Sequence, residues 1–293
     1  MSAFIYKALR YSGVAWLWRE IIQRGKVTFL LFHDMDPEDA QRNFNYLTKH
    51  YHVISLKEFV DAVRDQSALP PKAVVITFDD GHVSNFQLLP IIKELHVPVT
   101  VFLCSSIVGT QRHFWFRHSE MVKHEVEPLK QLTNDKRLQM LQTLGFAQDK
   151  VFDDRQALSS KEIDEMKPVA DFQSHTCFHP ILPQCDDTTA KEEIVSSKLQ
   201  LESLFGLDIY ALSYPNGDYS DRDIELAKEA GYQCGITVDS GYNSLSSDMF
   251  RLKRFSVNDA KSITELMVKA SGIYALIKHR FRKPSYGYKP SQS

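Results

Sequence analysis

Cysteine is scarce: Cys104, Cys177, Cys185 and Cys234 are the only four in 293 residues, with no CxxC pair and no regular spacing. That excludes a disulfide framework of the secreted kind and favours reduced thiols. Long apolar runs are missing as well. No stretch approaches the roughly 18 apolar residues a membrane-spanning helix requires. The short apolar segment Gly13-Val14-Ala15-Trp16-Leu17-Trp18 is interrupted at once by Arg19-Glu20, so it does not read as a secretory signal. A cytoplasmic location is the expectation. There is no basic excess, since the net charge is −2, and this argues against a nucleic-acid binder. Internal repeats and low-complexity tracts are also absent.

The chain is 43% hydrophobic and 25% charged, the composition of a globular protein with a sizeable core. Residues 3–23 carry apolar side chains at helical spacing and read as one amphipathic helix. Strands and helices then alternate: strand 27–32, helix 37–50, a capping box at Ser55-Leu56-Lys57-Glu58, strand 73–78, helix 84–95 containing Pro90, strand 98–103. Residues 105–168 break the rhythm. Polar, helix-prone and marked by the aromatic knot Phe114-Trp115-Phe116, they read as a helical insertion over one end of the fold. Alternation resumes with strand 169–173, helix 188–205 ending at Gly206, strand 209–214, a helix capped at Ser220, strands 233–238 and 251–257, and a last helix 259–271. Repeated βα units with uninterrupted apolar strands predict an α/β fold with a parallel sheet, closed or nearly closed into a TIM-like barrel. His33, Asp79, Asp80, His175, Pro215, Asp239 and Arg254 fall at or near the C-terminal ends of predicted strands, the rim on which barrels assemble chemistry.

Two strings carry the chemistry. Thr77-Phe78-Asp79-Asp80-Gly81 ends a buried strand on adjacent carboxylates, and His175-Thr176-Cys177-Phe178-His179-Pro180 sets two imidazoles four residues apart. An HxxxH pair alone is weak, because such histidines often serve packing. Paired carboxylates at a strand end, however, repel each other and resist desolvation, and a cation relieves both costs. Asp80, His175 and His179 therefore form a three-ligand, open-sided site of the catalytic kind. It suits Zn²⁺, with Fe²⁺, Co²⁺ or Ni²⁺ also compatible. Cys177, between the histidines, reads as a loop side chain. Asp79 is left as a general base, or else as a cap for the following helix. His33 can donate a proton to a leaving group, oriented by Asp34 or another carboxylate, or can be a satisfied polar group at a strand end.

These two strings resemble the first two motifs of the polysaccharide deacetylases, the NodB-homology domain of carbohydrate esterase family 4. The likeness runs from about residue 27 to residue 257 and includes Tyr214-Pro215-Asn216-Gly217 and Thr237-Val238-Asp239. It implies a deformed (β/α)₇ barrel, with the helical insertion near 105–168, that hydrolyses carbon–nitrogen amide bonds by removing N-acetyl groups from a saccharide in cell-surface or exopolysaccharide metabolism. By the same resemblance Asp79 is the base, Asp80, His175 and His179 hold the metal, and the Asn216 peptide N–H stabilises the oxyanion. The family's late Leu-x-His-Asp motif is matched here only by Leu31-Phe32-His33-Asp34, a circularly permuted arrangement that makes His33 the acid. The third motif lacks its usual Arg; Arg254 is the expected substitute. The family's Trp motif is not evident.

The domain reading is an N-terminal amphipathic helix over 1–25, the deacetylase barrel over 26–272 and a basic tail over 273–293. Trp16 and Trp18 together with Lys278-His279-Arg280-Phe281-Arg282-Lys283 suit a peripheral contact with the inner face of a membrane and a lipid-linked saccharide substrate. A packing helix and a solvated tail explain them equally well. The rival functions are an O-acetyl esterase or another amidohydrolase on the same barrel, and a non-catalytic sugar-binding homologue.

Overall fold

Runs of β-branched and aromatic residues bounded by turns form the sheet. The computed structural model describes residues 3–257, 259 and 261–275. Its strands are β1 Val27–Phe32, β2 His52–Val53, β3 Ala73–Phe78, β4 Val99–Leu103, β5 Ala170–Ser174, β6 Ala211–Ser213, β7 Cys234–Ile236 and β8 Phe255–Ser256. All pairings between them are parallel, in the order β7-β6-β5-β4-β3-β1-β8, with β2 a short extra strand beside β3. A bridge from Ile236 to Leu252 carries the hydrogen bonding onward from β7, and the chain from Leu252 runs straight into β8. The seven strands thus curl into the parallel barrel that the alternation predicts, in the deformed (β/α)₇ form that the resemblance implies.

Side-chain parity does the rest. Successive residues of a strand face opposite sides. On β3, Val74, Ile76 and Phe78 join the core beneath the surrounding helices, while Ala73 and Val75 join a second cluster with Phe29, Phe102, Ala211 and Ile236 that plugs the barrel. Truncating one of the buried phenylalanines to Ala would cost about 3–5 kcal/mol. The same parity carries His33, Asp79, His175, Ser213 and Arg254 to the inner side, above the apolar plug.

Helices cover the outside: α1 Ala3–Tyr11, α2 Val14–Ile21, α3 Pro37–His50, α4 Leu56–Asp65, α5 Leu89–Leu95, α6 Trp115–Met121, α7 Val126–Lys130, α8 Asn134–Thr143, α9 Ser160–Met166, α10 Asp187–Phe205, α11 Asp221–Glu229 and α12 Ile263–Ala270. Local chemistry sets their ends. Reciprocal capping boxes open α4, α9 and α11 at Ser55, Ser159 and Ser220, and α10 stops at Gly206 with φ 61°. The segment 105–168 is helical, as expected. Its α6–α8 have their own small core of Trp115, Leu129, Leu141 and Phe146, closed by Ile181.

Several elements differ from the sequence reading. The single helix over 3–23 is two, because Gly13 takes φ 75° between them. Helix 84–95 is a 3₁₀ turn over Val83–Leu88 followed by α5, with Pro90 in the first turn, where its missing N–H costs nothing. Strand 251–257 shrinks to β8, so Arg254 precedes a strand and does not end one. The last helix starts only after its cap at Ser262. All four cysteines are buried and free. Among the described residues no helix is long and apolar enough to cross a membrane. The basic string 278–283 lies outside the described residues.

Candidate metal centre

At the C-terminal end of β3 the chain leaves the sheet through Asp79, whose N–H donates to the Phe32 carbonyl at 3.0 Å, and then turns sharply. Asp80 takes φ 73° and Gly81 φ 69°. A Cβ on Gly81 would lie 2.6 Å from the Leu103 side chain, so the turn requires glycine on both torsional and steric grounds. Beyond β5 the loop 175–180 is held by Glu193 of α10, which accepts from the N–H groups of Cys177 and Phe178 at 2.8 and 2.9 Å. Thr176 and His179 also have positive φ, 66° and 58°, and the Thr176 hydroxyl accepts from the His179 N–H at 3.2 Å.

Three side chains converge there. His175 Nε2 and His179 Nε2 lie 3.5 and 3.3 Å from the same atom, Asp80 Oδ1, and one ligand atom from each residue falls within 4.8 Å of the others. His175 Nδ1 must donate to the Ser213 carbonyl at 2.7 Å, which turns its Nε2 toward the carboxylate. Burial pushes His179 down to about 3, so this imidazole is neutral. Asp80 is held well below its ordinary value: burial raises it, and the neighbouring histidines more than offset that, His82 Nε2 lying 3.1 Å from its Oδ2. Its buried Oδ1 has no hydrogen-bond partner. An ionised oxygen facing imidazole lone pairs is repulsive until a cation sits between them, so the donor set fits a divalent ion.

Asp79 lies beside this set, its Oδ2 3.8 Å from His175 Nε2, and sits in a cage. Arg254, buried completely, donates to both of its oxygens at 2.7 Å, and Ser213 Oγ lies 3.3 Å from each. The guanidinium is itself fixed by the Thr237 carbonyl, Thr77 Oγ1 and Ser213 Oγ at 2.9, 3.2 and 2.9 Å. Burial pushes the Asp79 carboxyl up; the Arg254 charge outweighs it and holds the group below its ordinary range. The carboxylate is ionised at neutral pH, and no helix N–H claims it.

His33 is partly exposed on the opposite wall. Its backbone N–H donates to Asp259 Oδ1 at 2.7 Å, and its ring Nδ1 lies 3.9 Å from the same oxygen. Asp34, the neighbour expected to orient it, instead pairs with Arg117 at 3.0 Å. Asp239 accepts from the Tyr219 hydroxyl at 3.3 Å and stands back from the site. Asn216 has φ 58° in the turn after β6, where Gly217 is required as well: a Cβ there would meet Val238 at 2.2 Å. A cleft of about 420 Å³ joins these parts, lined among others by His33, Asp79, Asp80, His175, His179 and Asn216.

Sequence reasoning missed three contributors. Trp115 and Phe116 line the same cleft from the insertion; the Trp115 indole donates to the His179 carbonyl at 2.8 Å, and Phe116 meets the His179 ring edge-on at 4.9 Å. The aromatic knot was the signal. The third is His82, two residues after Asp80, which was visible beside the motif.

Comparisons with known proteins bear on the family and the fold. The sequence profile of the polysaccharide deacetylase family matches residues 66–235, more than half of the chain. YxkH of Bacillus subtilis (strain 168) is 23% identical over 256 residues, covering 84% of this chain and 76% of that protein. The poly-beta-1,6-N-acetyl-D-glucosamine N-deacetylase of Staphylococcus epidermidis is 26% identical over 219 residues, 71% of this chain and 62% of its own length. Among solved structures, the Streptococcus pyogenes deacetylase PplD, in complex with acetate, superposes with a TM-score of 0.63 at 20% identity, covering 85% of this chain and 99% of that one, which shows the shared fold.

Proposed function

Since the chain belongs to the polysaccharide deacetylase family, we propose that this site removes N-acetyl groups from a saccharide, with Asp80, His175 and His179 holding the metal. The observation that carries the assignment is the buried, unpartnered Asp80 Oδ1 between two imidazole Nε2 atoms. Zn²⁺ fits a neutral His₂–carboxylate set best. When bound, such an ion polarises an acetamide carbonyl and acidifies a water.

The chain's own residues supply the rest. Asp79 accepts the proton of the attacking water. Its bidentate contact with Arg254 fixes its orientation and keeps it ionised, and a carboxylate retains lone pairs beyond the two that Arg254 occupies. The Asn216 peptide N–H, in its left-handed turn at the cleft wall, donates to the developing oxyanion. His33 gives a proton to the nitrogen as the carbon–nitrogen bond breaks, with Asp259 Oδ1 3.9 Å from its ring Nδ1. Trp115 and Phe116 wall the cleft on the metal side, where an acetyl methyl would be shielded from water. The name of the Staphylococcus relative favours a saccharide containing N-acetylglucosamine, and a lipid-linked form of it suits the membrane contact argued below.

Asp79→Asn tests the assignment with nearly the same shape and no base. Acetate release from N-acetylglucosamine oligosaccharides should fall by about 10³-fold or more, with metal content by mass spectrometry unchanged. Activity within a few-fold of wild type would remove Asp79 from the base role.

A further inference from the structure

The helix α2 is apolar on two sides. Ala15 is buried against Val268 and Ile273, and Trp18 packs there too, donating its indole N–H to Tyr242 Oη at 2.7 Å. The opposite stripe, Val14, Leu17 and Ile21, is 41%, 49% and 62% exposed, and Trp16 beside it 59%. Phe4 and Tyr11 of α1 are also exposed, at 79% and 74%. A surface helix with apolar residues on two sides leaves one of them unpartnered, and exposed apolar surface of this kind marks an interaction site.

Charge identifies the partner. Residues 1–26 hold five Lys or Arg and one Glu, and residues 276–293 five Lys or Arg and no acid. The intervening 27–275 hold 25 basic and 36 acidic residues, so the body carries net −11 while both ends are cationic. The described residues nearest the C-terminal basic sequence pack on α1. Arg10 donates to Thr264 of α12 at 2.9 Å, Tyr6 stacks on Tyr274 at 6.4 Å, and the basic stretch begins a few residues after Tyr274. Lys7, Arg24 and Lys26 are exposed around the apolar stripe. An apolar face with aromatics, ringed by cations and joined to a second cationic segment, complements a surface that is apolar beneath and anionic above.

We propose that the outer face of α1 and α2 docks the protein on an anionic lipid bilayer, the basic sequence 276–293 adding to the charge attraction. None of the described residues of α1 and α2 lines the cleft, so the proposal stands apart from the catalytic assignment. An acidic body beside cationic ends would also orient the molecule, holding the barrel away from the headgroups while the ends engage them.

The test is co-sedimentation of the full chain with vesicles of phosphatidylcholine alone and of phosphatidylcholine mixed with phosphatidylglycerol, at low and high salt. Binding to the mixed vesicles, weakened by salt and accompanied by a blue shift in tryptophan emission that Trp16→Phe removes, is the expected result. Leu17→Glu with Ile21→Glu should reduce binding about tenfold or more, while acetate release from a soluble oligosaccharide stays unchanged. Neutralising Lys278, Arg280, Arg282 and Lys283 to Gln should abolish the preference for phosphatidylglycerol. No binding to either vesicle, or equal binding by the Leu17→Glu/Ile21→Glu variant, would overturn the proposal. So would a dimer in solution that this variant dissociates, which would make a second copy the occupant. Tighter binding after the basic segment is neutralised would overturn it too, by showing that this segment covers the face.

Discussion

Replacing Arg254 by Met keeps most of the side chain's volume and removes the charge that faces Asp79. The wild-type pair is buried on both sides, with Arg254 0% and Asp79 4% exposed, and bidentate at 2.7 Å. Removing one partner of a buried pair leaves an uncompensated charge and costs about 3–5 kcal/mol. The same substitution leaves the Thr237 carbonyl without its 2.9 Å donor, which pushes the expectation to the upper half of that range. The loss should depend on pH, and its sign follows from Asp79. In the wild type the carboxyl lies below its ordinary 3.8, so its contribution to stability is full above that value and disappears only as pH falls through the lower, folded-state pKa. Without Arg254, burial dominates and the folded-state pKa rises above 3.8. Stability is then lost as pH rises from 3.8 through the new value, because the unfolded chain ionises first.

Urea unfolding of the metal-free protein at pH 4.5 and 7.5 measures this directly; the gap between wild type and Arg254→Met should be larger at the higher pH. The acid limb of kcat/KM should move to higher pH in the same variant, since the base is protonated over a wider range. Arg254→Lys, which keeps a charge but not the fork, should fall between the two. A double-mutant cycle with Asp79→Asn isolates the pair. A stability gap under about 1 kcal/mol, or one independent of pH, would refute the claim that Arg254 is what keeps Asp79 ionised.

Other parts of the site are open to the same treatment. Asp80→Asn should leave the protein with little bound metal by mass spectrometry and lower acetate release by at least about 100-fold. Chelation of the wild type should abolish turnover, with recovery on adding Zn²⁺. His33→Gln should lower kcat by about 10²–10⁴ with metal content intact, as expected for loss of an acid that does not touch the ion. Gly217→Ala combines φ 75° with a Cβ 2.2 Å from Val238, so its thermal midpoint should drop by an amount equivalent to about 2 kcal/mol or more, recovered in part by Val238→Ala.

What the sequence revealed follows the range of the interactions involved. Asp79, Asp80, His175 and His179 stand in strings whose spacing is itself the chemical signal, and the structure brings the last three together. Arg254 was legible as a cation near a strand end, although its reach to Asp79 crosses 175 positions and depends on barrel closure through Leu252. The partner of His33 was not legible. Asp34 stands next to it in sequence, yet Arg117 of α6 takes that carboxylate, and Asp259 arrives from 226 residues away. The aromatic knot could be seen but not placed, because an insertion has no register with the strands it covers. Only the folded chain shows Trp115 donating to the His179 carbonyl. The helix over 3–23 failed for a local reason: apolar periodicity continues straight through a glycine whose left-handed conformation ends one helix and starts another.

The division of labour between two adjacent aspartates has a single backbone cause. Had β3 continued as a regular strand, Asp79 would face the barrel interior and Asp80 the helices, where no imidazole could meet it. The left-handed torsion at Asp80, followed by Gly81, swings the second carboxylate back over the rim toward His175 and His179. Among the described residues, nine non-glycine positions have positive φ, and four of them, Asp80, Thr176, His179 and Asn216, belong to this one site. Each such torsion costs on the order of 1 kcal/mol or more and persists only where its surroundings fix it. Here they do. Leu103 and Val108 close against Gly81, Glu193 grips the two peptides after Thr176, and Trp115 binds the His179 carbonyl. The first aspartate is gripped on both oxygens by Arg254, and the second is turned so that one buried oxygen faces two imidazoles without a hydrogen-bond partner.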